Sequence, residues 1–201
     1  MFWTLRSLIL ASGSPRRKRL LESVGIEFQV RPSDVEEIDS PGNTPEIAAE
    51  EWADLKAHSV SLQFPDAWVL GADTIVVLDG RIFGKPSDRT MAEQMLTTLS
   101  GRVHEVITGI CLAHAGRSTR RKGRVSTRVE FKHLSREEIQ AYIGTGEPMD
   151  KAGAYGIQGA GAFLVRSVEG SYSNVVGLPL CETIEWLMEE GIIAPASGPK
   201  L

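Results

Sequence analysis

Short apolar runs alternate with helical repeats along the chain. Residues 6–11 form an apolar run bounded by turn-forming residues, which predicts a buried strand, and residues 28–30 predict a second one. Pro15 is suited to the first turn of a helix, with Ser14 as its N-cap and an end near Gly25. Apolar residues recur at helical spacing in later segments. These predicted helices cover residues 44–60, 88–99, 135–143 and 180–188.

The remaining strands are predicted in the middle of the chain. Residues 68–78 are mostly apolar and lead into Asp79 and Gly80, a two-residue hairpin signal, before a short strand at residues 82–83. Because strands and helices are mixed rather than strictly alternating, this order predicts an α/β or α+β fold with a mixed sheet. Further strands are predicted at residues 103–114, 124–133 and 163–168, with a basic loop from Arg117 to Lys122 between the first two.

The composition is that of one globular domain. The 201 residues are 42% hydrophobic and 24% charged, and the apolar runs are far shorter than the roughly 20 residues that span a bilayer. We expect a single domain over residues 1–193 and a loose C-terminal tail over residues 194–201. Cys111 and Cys181 lack metal-like spacing, so we expect a reducing, cytoplasmic location.

The overall charge limits the partners that the chain is expected to bind. A net charge of -4 at pH 7 argues against a protein that binds nucleic acid by bulk charge, since that class is normally strongly basic. Neither nucleic acid nor a membrane is therefore an expected partner. Any anion-binding site therefore has to be a small cluster of basic residues within an acidic chain.

The first candidate for such a site is the segment from Ser12 to Arg17. A Ser-Gly-Ser-Pro turn follows the first predicted strand, and the helix after it begins with Arg16 and Arg17. Free N–H groups and the positive end of the helix dipole favour a phosphate at a helix N-terminus, whereas cations there are unfavourable for the helix. A bound anion would explain these cations. A solvated helix face is the alternative, which we adopt for Lys18 and Arg19.

The second candidate is Asp73, which interrupts an otherwise apolar strand. A buried ionised carboxylate is costly unless it is paired or bound to a metal ion, and the small neighbours Gly71 and Ala72 leave room for a ligand. A turn residue satisfied by backbone N–H groups is the alternative interpretation. Lys85, just beyond the predicted hairpin, is a cation that can return to the same edge.

The third candidate is a glycine-rich loop over residues 146–159. It contains Asp150, Lys151, Tyr155 and Gln158, and its glycines indicate a flexible backbone. Loops of this composition often bind ligands, although a surface connector is an equally good interpretation. The histidines of the chain form no metal-binding or nucleophile motif and are interpreted as structural.

Taken in chain order, these segments resemble a known family. The stretches LASGSPRR, GADTIVVLDG, GKP, LSGRVHEVITG and GEPMDKAGAYGIQG lie in this order between residues 8 and 180. They resemble the Maf family of nucleoside triphosphate pyrophosphatases. The resemblance implies hydrolysis between the α and β phosphates with a divalent metal ion. It also implies an elongated, inosine triphosphatase-like α/β fold, in which helices flank a mixed twisted sheet and two lobes enclose a central cleft. Members of the family are often homodimers.

The resemblance also implies roles for individual residues. Asp73 would be the essential carboxylate, which binds the metal ion and orients or deprotonates the attacking water, and Glu37 would be a second metal-binding acid. Spacing alone leaves open whether Glu36 or Glu37 faces the site. Hard oxygen ligands of this kind favour Mg²⁺ or Mn²⁺. The residues matched to substrate and phosphate binding are Ser12, Arg16, Arg17, Lys56, Lys85 and Gln158.

The expected substrate follows from the resemblance alone. The stretch EPMDKAGAYGIQG is similar to the branch that prefers dTTP and UTP, and the branch that acts on 7-methyl-GTP is the alternative. The expected role is removal of unwanted nucleotides from the pool. Because family members have been associated with arrest of septum formation, a partner-binding inhibitor of cell division is a second functional hypothesis.

Overall fold

Long antiparallel strands run through the centre of this computed structural model, which describes residues 1–35 and 44–196. The strands are β1 (Phe2–Thr4), β2 (Leu8–Leu10), β3 (Gln29–Val30), β4 (Trp68–Leu78), β5 (Arg81–Phe83), β6 (Val103–His114), β7 (Thr119–Phe131), β8 (Val165–Glu169) and β9 (Ile193–Pro195). The helices are α1 (Pro15–Ser23), α2 (Pro45–Gln63), α3 (Arg89–Leu99), α4 (Arg136–Gly144), α5 (Tyr172–Val176) and α6 (Leu180–Glu189). Short 3-10 turns lie at Ala115–Arg117, Glu147–Asp150, Ala152–Ala154 and Gly159–Leu164.

The predicted mixed sheet is confirmed. In the described residues, seven strands form one sheet in the order β3-β2-β4-β6-β7-β8, with β5 paired to β4. The β3-β2-β4 portion is parallel and the other pairings are antiparallel. The predicted hairpin is also confirmed, since Asp79 and Gly80 take the positive φ angles of 52° and 75° that its tight turn requires.

A gap along one edge of β4 determines where the protein opens. On one edge, β6 pairs with β4 from Val69 to Val77. On the other edge, β2 pairs with residues 68–70 and β5 with residues 76–78. No described strand pairs with residues 71–75 on that second edge. Side chains from both faces of the sheet can therefore reach the same opening.

Helix α2 packs unusually close to one face of the sheet. A Cβ atom on Gly71 would lie 2.4 Å from the Ala53 carbonyl oxygen, and one on Gly109 would lie 2.1 Å from that of Ala49. Only glycine at these two strand positions leaves room for the helix backbone. Gly109 is the β6 residue opposite Asp73, so the close approach occurs at the candidate carboxylate.

The apolar core on the opposite face of the sheet is divided in two. Trp68, Leu70 and Ala72 of β4 belong to a cluster that includes residues of α1, α6 and β9. Val76 and Leu78 belong to a second cluster, with residues of α3 and α4. The division falls at residue 74, where β4 has a threonine on this face. The two clusters form the two lobes of the fold, with the cleft between them.

The sequence pattern did not predict β1 or α5, and other parts of the chain also differ from expectation. The expected basic loop from Arg117 to Lys122 is largely strand, because β6 and β7 pair from His114↔Thr119 onward and leave only a short turn between them. The last sheet strand begins at Val165 rather than at residue 163, because a 3-10 turn occupies Gly159–Leu164. The ordered domain also extends beyond residue 193, where the loose tail was expected to begin, since β9 pairs with β1 through Pro195. Residues 197–201 lie outside the described residues.

Within the described residues, every helix is too short or too polar to cross a membrane.

The close approach of α2 predicts a large effect of one added methyl group. We expect Gly109→Ala to lower the free energy of unfolding by about 1–3 kcal/mol, because its Cβ would overlap the backbone of α2. Gly144→Ala is the matched control, since nothing lies within 4 Å of a Cβ there, and its effect should stay within about 0.5 kcal/mol. Urea unfolding measures both. Equal losses in the two variants would contradict the packing argument.

Candidate functional site

A cleft of about 620 Å³ opens at the gap in β4 between the two lobes. It is bordered by the start of α1, by α2, by β4, by the segment after β5, by the glycine-rich segment and by α5 with the turn that follows it. All candidate side chains within the described residues line this cleft. They are Ser12, Arg16, Arg17, Lys56, Asp73, Lys85 and Gln158. Glu36 and Glu37 lie outside the described residues.

Arg17 ties three elements together at the floor of the cleft. Its Nη1 donates to Ser12 Oγ at 2.9 Å and its Nη2 to Thr74 Oγ1 at 3.0 Å. Its Nε donates to the Gly177 carbonyl at 2.7 Å. The guanidinium thus joins α1 to β4 and to the turn after α5, which makes its position in the cleft rigid. The sequence indicated that this side chain binds an anion but not that it bridges these elements.

The start of α1 is arranged as the sequence predicts, with one difference. Ser14 is the N-cap residue, yet neither its side chain nor any acidic residue of the first turn satisfies the helix terminus in the described structure. Instead, the Ser14 N–H donates to Ser12 Oγ at 3.3 Å. The positive end of α1 therefore faces the cleft without a carboxylate of its own, which favours an anionic ligand.

Asp73 is a strand residue and not a turn residue. It is 5% exposed and projects from β4 toward α2, where its carboxylate forms a hydrogen-bonded ion pair with the Lys56 ammonium. The two side chains are only 7% and 13% exposed. A buried carboxylate needs such a partner, because an uncompensated charge in the interior costs several kcal/mol. Lys56 reaches it because Gly71 and Gly109 let α2 lie close to the sheet.

A second set of charged side chains, Arg16, Asp150 and Lys151, closes one side of the cleft. Arg16 Nη1 lies 3.0 Å from Asp150 Oδ2, and Lys151 Nζ lies 2.6 Å from Asp150 Oδ1. Burial pushes the pKa of Asp150 up, but hydrogen bonds from Lys151 and Arg16 outweigh it and hold this pKa below its ordinary value. Arg16 therefore joins the start of α1 to the glycine-rich segment on the other lobe.

Two candidate residues point to the open part of the cleft. Lys85 is exposed, and no described residue forms a hydrogen bond or ion pair with it. Gln158 is also exposed and directly precedes the 3-10 turn Gly159–Leu164. The glycine-rich segment that carries Gln158 is a series of 3-10 turns rather than the flexible loop expected from its composition.

The electrostatic character of the cleft differs from that of the whole chain. Among the described residues, five basic and two acidic side chains line it, although the net charge of the protein is -4. The basic side chains are Arg16, Arg17, Lys56, Lys85 and Lys151, and the acidic ones are Asp73 and Asp150. The excess of basic side chains suits a polyanionic ligand, which would bind close to the carboxylate of Asp73.

Several site residues were not selected from the sequence. Thr74 Oγ1 contacts Thr108 Oγ1 at 2.9 Å, and Thr108 Oγ1 donates to the Asn174 carbonyl at 3.2 Å. The Asn174 amide in turn donates to the Val106 carbonyl at 2.9 Å. This buried polar chain supports the floor of the cleft beneath Arg17. The signal that could have found it is the pair of threonines at facing positions of two apolar strands.

A cluster of three packed rings, those of His104, Phe131 and Tyr155, supports the wall of the cleft on the side of α3 and α4. His104 Nε2 and the Tyr155 hydroxyl share a hydrogen bond of 2.8 Å, and both rings pack edge to face on Phe131. In the described residues, His104 Nδ1 has no hydrogen-bond partner. Burial lowers the pKa of His104 from 6.5 to about 4, so the ring is neutral near pH 7.

The chain is similar to several known proteins. A family model described as "Maf-like protein" matches residues 7–190. The chain is 52% identical over 187 residues to the dTTP/UTP pyrophosphatase of Geotalea uraniireducens, covering 93% of this chain and 96% of that relative. It is 51% identical to the protein of the same description from Symbiobacterium thermophilum, covering 93% and 95%. For the one from Myxococcus xanthus the identity is 50% over 188 residues, covering 94% of each chain.

Among solved structures, the fold is similar to that of a HAM1 protein from Coxiella burnetii. The TM-score is 0.54 at 16% sequence identity, and the alignment covers 92% of this chain and 100% of that chain. At this identity the likeness concerns the fold alone. It supports the mixed sheet flanked by helices described above.

The buried imidazole predicts a pH dependence of stability. Because the pKa of His104 is about 4 in the folded protein and 6.5 in the unfolded chain, the unfolded chain binds its proton first as the pH falls. Stability from this group is fully present above about pH 6.5 and falls by up to about 3 kcal/mol toward pH 4. His104→Gln should remove this component, whereas the exposed His133→Gln should keep it. Urea unfolding at several pH values measures the difference, and parallel curves for wild type and His104→Gln would refute the assignment.

Proposed function

This chain belongs to the Maf-like protein family, and on that premise we propose that it hydrolyses nucleoside triphosphates between the α and β phosphates. The products are the nucleoside monophosphate and pyrophosphate, and the preferred substrates are dTTP and UTP. The observation that carries the proposal is a cleft whose described lining combines five basic side chains with the buried Asp73. The substrate preference is supported by relatives about half identical over nearly the whole chain that are described as dTTP/UTP pyrophosphatases.

In this proposal the basic side chains bind the triphosphate. Arg17 is held rigidly beside Ser12, so its fork and the N-terminus of α1 present preorganised donors to phosphate oxygens. Arg16 and Lys85 reach the phosphates from the two sides of the cleft. Negative charge grows on the leaving pyrophosphate as the anhydride bond breaks, and fixed cations stabilise that charge without reorganisation.

Asp73 has the central catalytic role in this proposal. Its carboxylate orients the attacking water and accepts its proton as the new bond to the α phosphorus forms. Lys56 lies beside this carboxylate as its buried ion-pair partner and offsets part of the charge of the phosphates. Gln158 contacts the substrate from the opposite lobe.

A divalent metal ion fits the donors of this site. The described residues contain no cluster of three potential metal ligands. Mg²⁺ sites with one or two carboxylates and several substrate phosphate oxygens are common in phosphate chemistry. Asp73 would hold Mg²⁺ or Mn²⁺ together with Glu37, which lies outside the described residues. When bound, the ion supplies Lewis-acid polarisation of the phosphate oxygens.

Location and assembly belong to the same proposal. A nucleotide-pool enzyme of this kind works in the cytoplasm, where its substrates are found. Because family members are often homodimers, we propose a homodimer. Light scattering of the purified protein would test this, and a monomer at the concentrations of the assay would contradict it.

The first test is the release of pyrophosphate by purified protein with Mg²⁺ or Mn²⁺. We expect turnover of dTTP and UTP, and a loss of at least about a hundredfold in kcat for Asp73→Asn, since this change removes the proton acceptor. Asp79→Asn is the matched control, because Asp79 is an exposed carboxylate on the hairpin outside the cleft. CTP, the purine triphosphates and 7-methyl-GTP complete the panel.

The result of this assay separates the hypotheses. A preference for 7-methyl-GTP would move the chain to the other branch of the family. No metal-dependent release from any nucleotide would overturn the enzymatic proposal. Full activity of Asp73→Asn would leave the reaction standing and remove the catalytic role of that carboxylate.

The exposed cation of the cleft gives a separate prediction about binding. Lys85→Gln should raise KM for dTTP about tenfold, because a charge-assisted contact to phosphate contributes roughly 1.5–3 kcal/mol. The change in kcat should be smaller. Lys122→Gln is the control, since Lys122 is exposed on β7 outside the cleft. Steady-state kinetics measure both, and the same KM in wild type and Lys85→Gln would argue against phosphate binding by Lys85.

A further inference from the structure

The turn that carries Gln158 is wrapped around two side chains outside the cleft lining. Glu147 Oε2 accepts the N–H of Ala160 at 2.9 Å, and Glu147 Oε1 accepts the N–H of Gly161 at 3.1 Å. On the other side of Gln158, the N–H of Gly156 donates to the Tyr142 hydroxyl at 3.1 Å. The hydroxyl itself donates to Glu147 Oε1 at 2.9 Å. Both ends of the turn are therefore anchored to one hydrogen-bonded pair.

The glycines of this segment leave space for that pair. A Cβ atom on Gly159 would lie 2.7 Å from Glu147 Oε2, and one on Gly161 would lie 2.5 Å from the Tyr142 hydroxyl. Gly159 also has a positive φ of 69°. The glycines thus let the backbone close around a carboxylate and a phenol. The number of glycines suggests a flexible segment, but here the glycines serve to accommodate these two side chains.

The anchor is itself fixed to the core. The Tyr142 ring is buried in the apolar cluster with α3, and burial raises the pKa of its hydroxyl, so it remains a donor. The Glu147 carbonyl accepts from Lys151 Nζ at 2.6 Å, and Lys151 holds Asp150, the partner of Arg16. The side-chain pair therefore connects the packed core to the turn of Gln158, whereas only the Glu147 backbone carbonyl is linked, through Lys151 and Asp150, to Arg16.

We propose that Glu147 and Tyr142 are positioning residues, which hold the turn 156–161 so that Gln158 faces the substrate. They act through the backbone of the turn and not by touching the substrate, since neither lines the cleft. This inference rests on the proposed function, because it takes Gln158 as a substrate contact. Loss of either residue should weaken productive binding while the phosphate site around Arg17 and the Asp73 carboxylate stay in place.

Two conservative variants test the proposal. Tyr142→Phe removes only the hydroxyl, and Glu147→Gln places an amide N–H₂ against a backbone N–H of the turn. Each should raise KM for dTTP about tenfold, the cost of one or two lost hydrogen bonds, with kcat changed less than about threefold. Tyr172→Phe and Glu137→Gln are the controls, since both side chains are exposed and lie outside this network.

A double-mutant cycle with Gln158→Ala distinguishes positioning from a general loss of structure. If the pair acts through Gln158, Tyr142→Phe should change KM less than about twofold in the Gln158→Ala background. An undiminished tenfold effect in that background would overturn the proposal, and so would wild-type kinetics in both single variants.

Amide hydrogen exchange tests the anchor without any need for catalysis. Exchange at residues 156–161 should be at least about tenfold faster in Tyr142→Phe and Glu147→Gln, because the opening of the turn costs less free energy. Exchange in β4 and β6 should match the wild type. Unchanged exchange in the turn, or faster exchange throughout the core, would overturn the proposal. Failure of the wild-type protein to hydrolyse nucleotides would count against the proposed function and leave this measurement of the anchor intact.

Discussion

The ion pair between Asp73 and Lys56 is the contact on which the arrangement of the site depends. It joins the central strand β4 to the long helix α2 in a region that is otherwise apolar. A carboxylate at this depth is tolerated only with a cation beside it. The cation comes from a helix that lies almost on the sheet, and Gly71 and Gly109 make that approach sterically feasible. A few small residues therefore decide whether a charged group can occupy the core.

The cleft exists because β4 is incompletely paired. Its neighbours β2 and β5 cover the two ends of one edge and leave residues 71–75 between them without a described strand. Asp73 projects from one face of the sheet, and Thr74, which contacts Arg17, projects from the other. Elsewhere a sheet separates groups on its two faces. At this gap they border one opening, so the buried Asp73 carboxylate and the Arg17 guanidinium line the same cleft.

The two lobes contribute different kinds of groups to that opening. The lobe with α1 supplies a helix terminus and Arg17, which donates hydrogen bonds to Ser12, Thr74 and the Gly177 carbonyl. The lobe with α3 and α4 supplies Gln158 on a turn held by Glu147 and Tyr142. The ion pair of Arg16 with Asp150 bridges them. The Arg17 side chain and the turn of Gln158 are in this way held by separate parts of the fold.

The sequence by itself determined the helices other than the short α5, the long strands and the hairpin, because each depends on local periodicity and turn chemistry. It also identified the candidate residues, since the order of the motifs resembles that of a family. It misjudged the basic segment at residues 117–122 and the flexibility of the glycine-rich segment, because strand pairing and close packing involve residues distant in the chain. Only the tertiary structure brought Ser12, Asp73 and Gln158 to one cleft and identified Thr74, Glu147 and Tyr142 as their supports. Hydrogen bonds and counter-charges between distant segments depend on how elements pack, which no local pattern encodes.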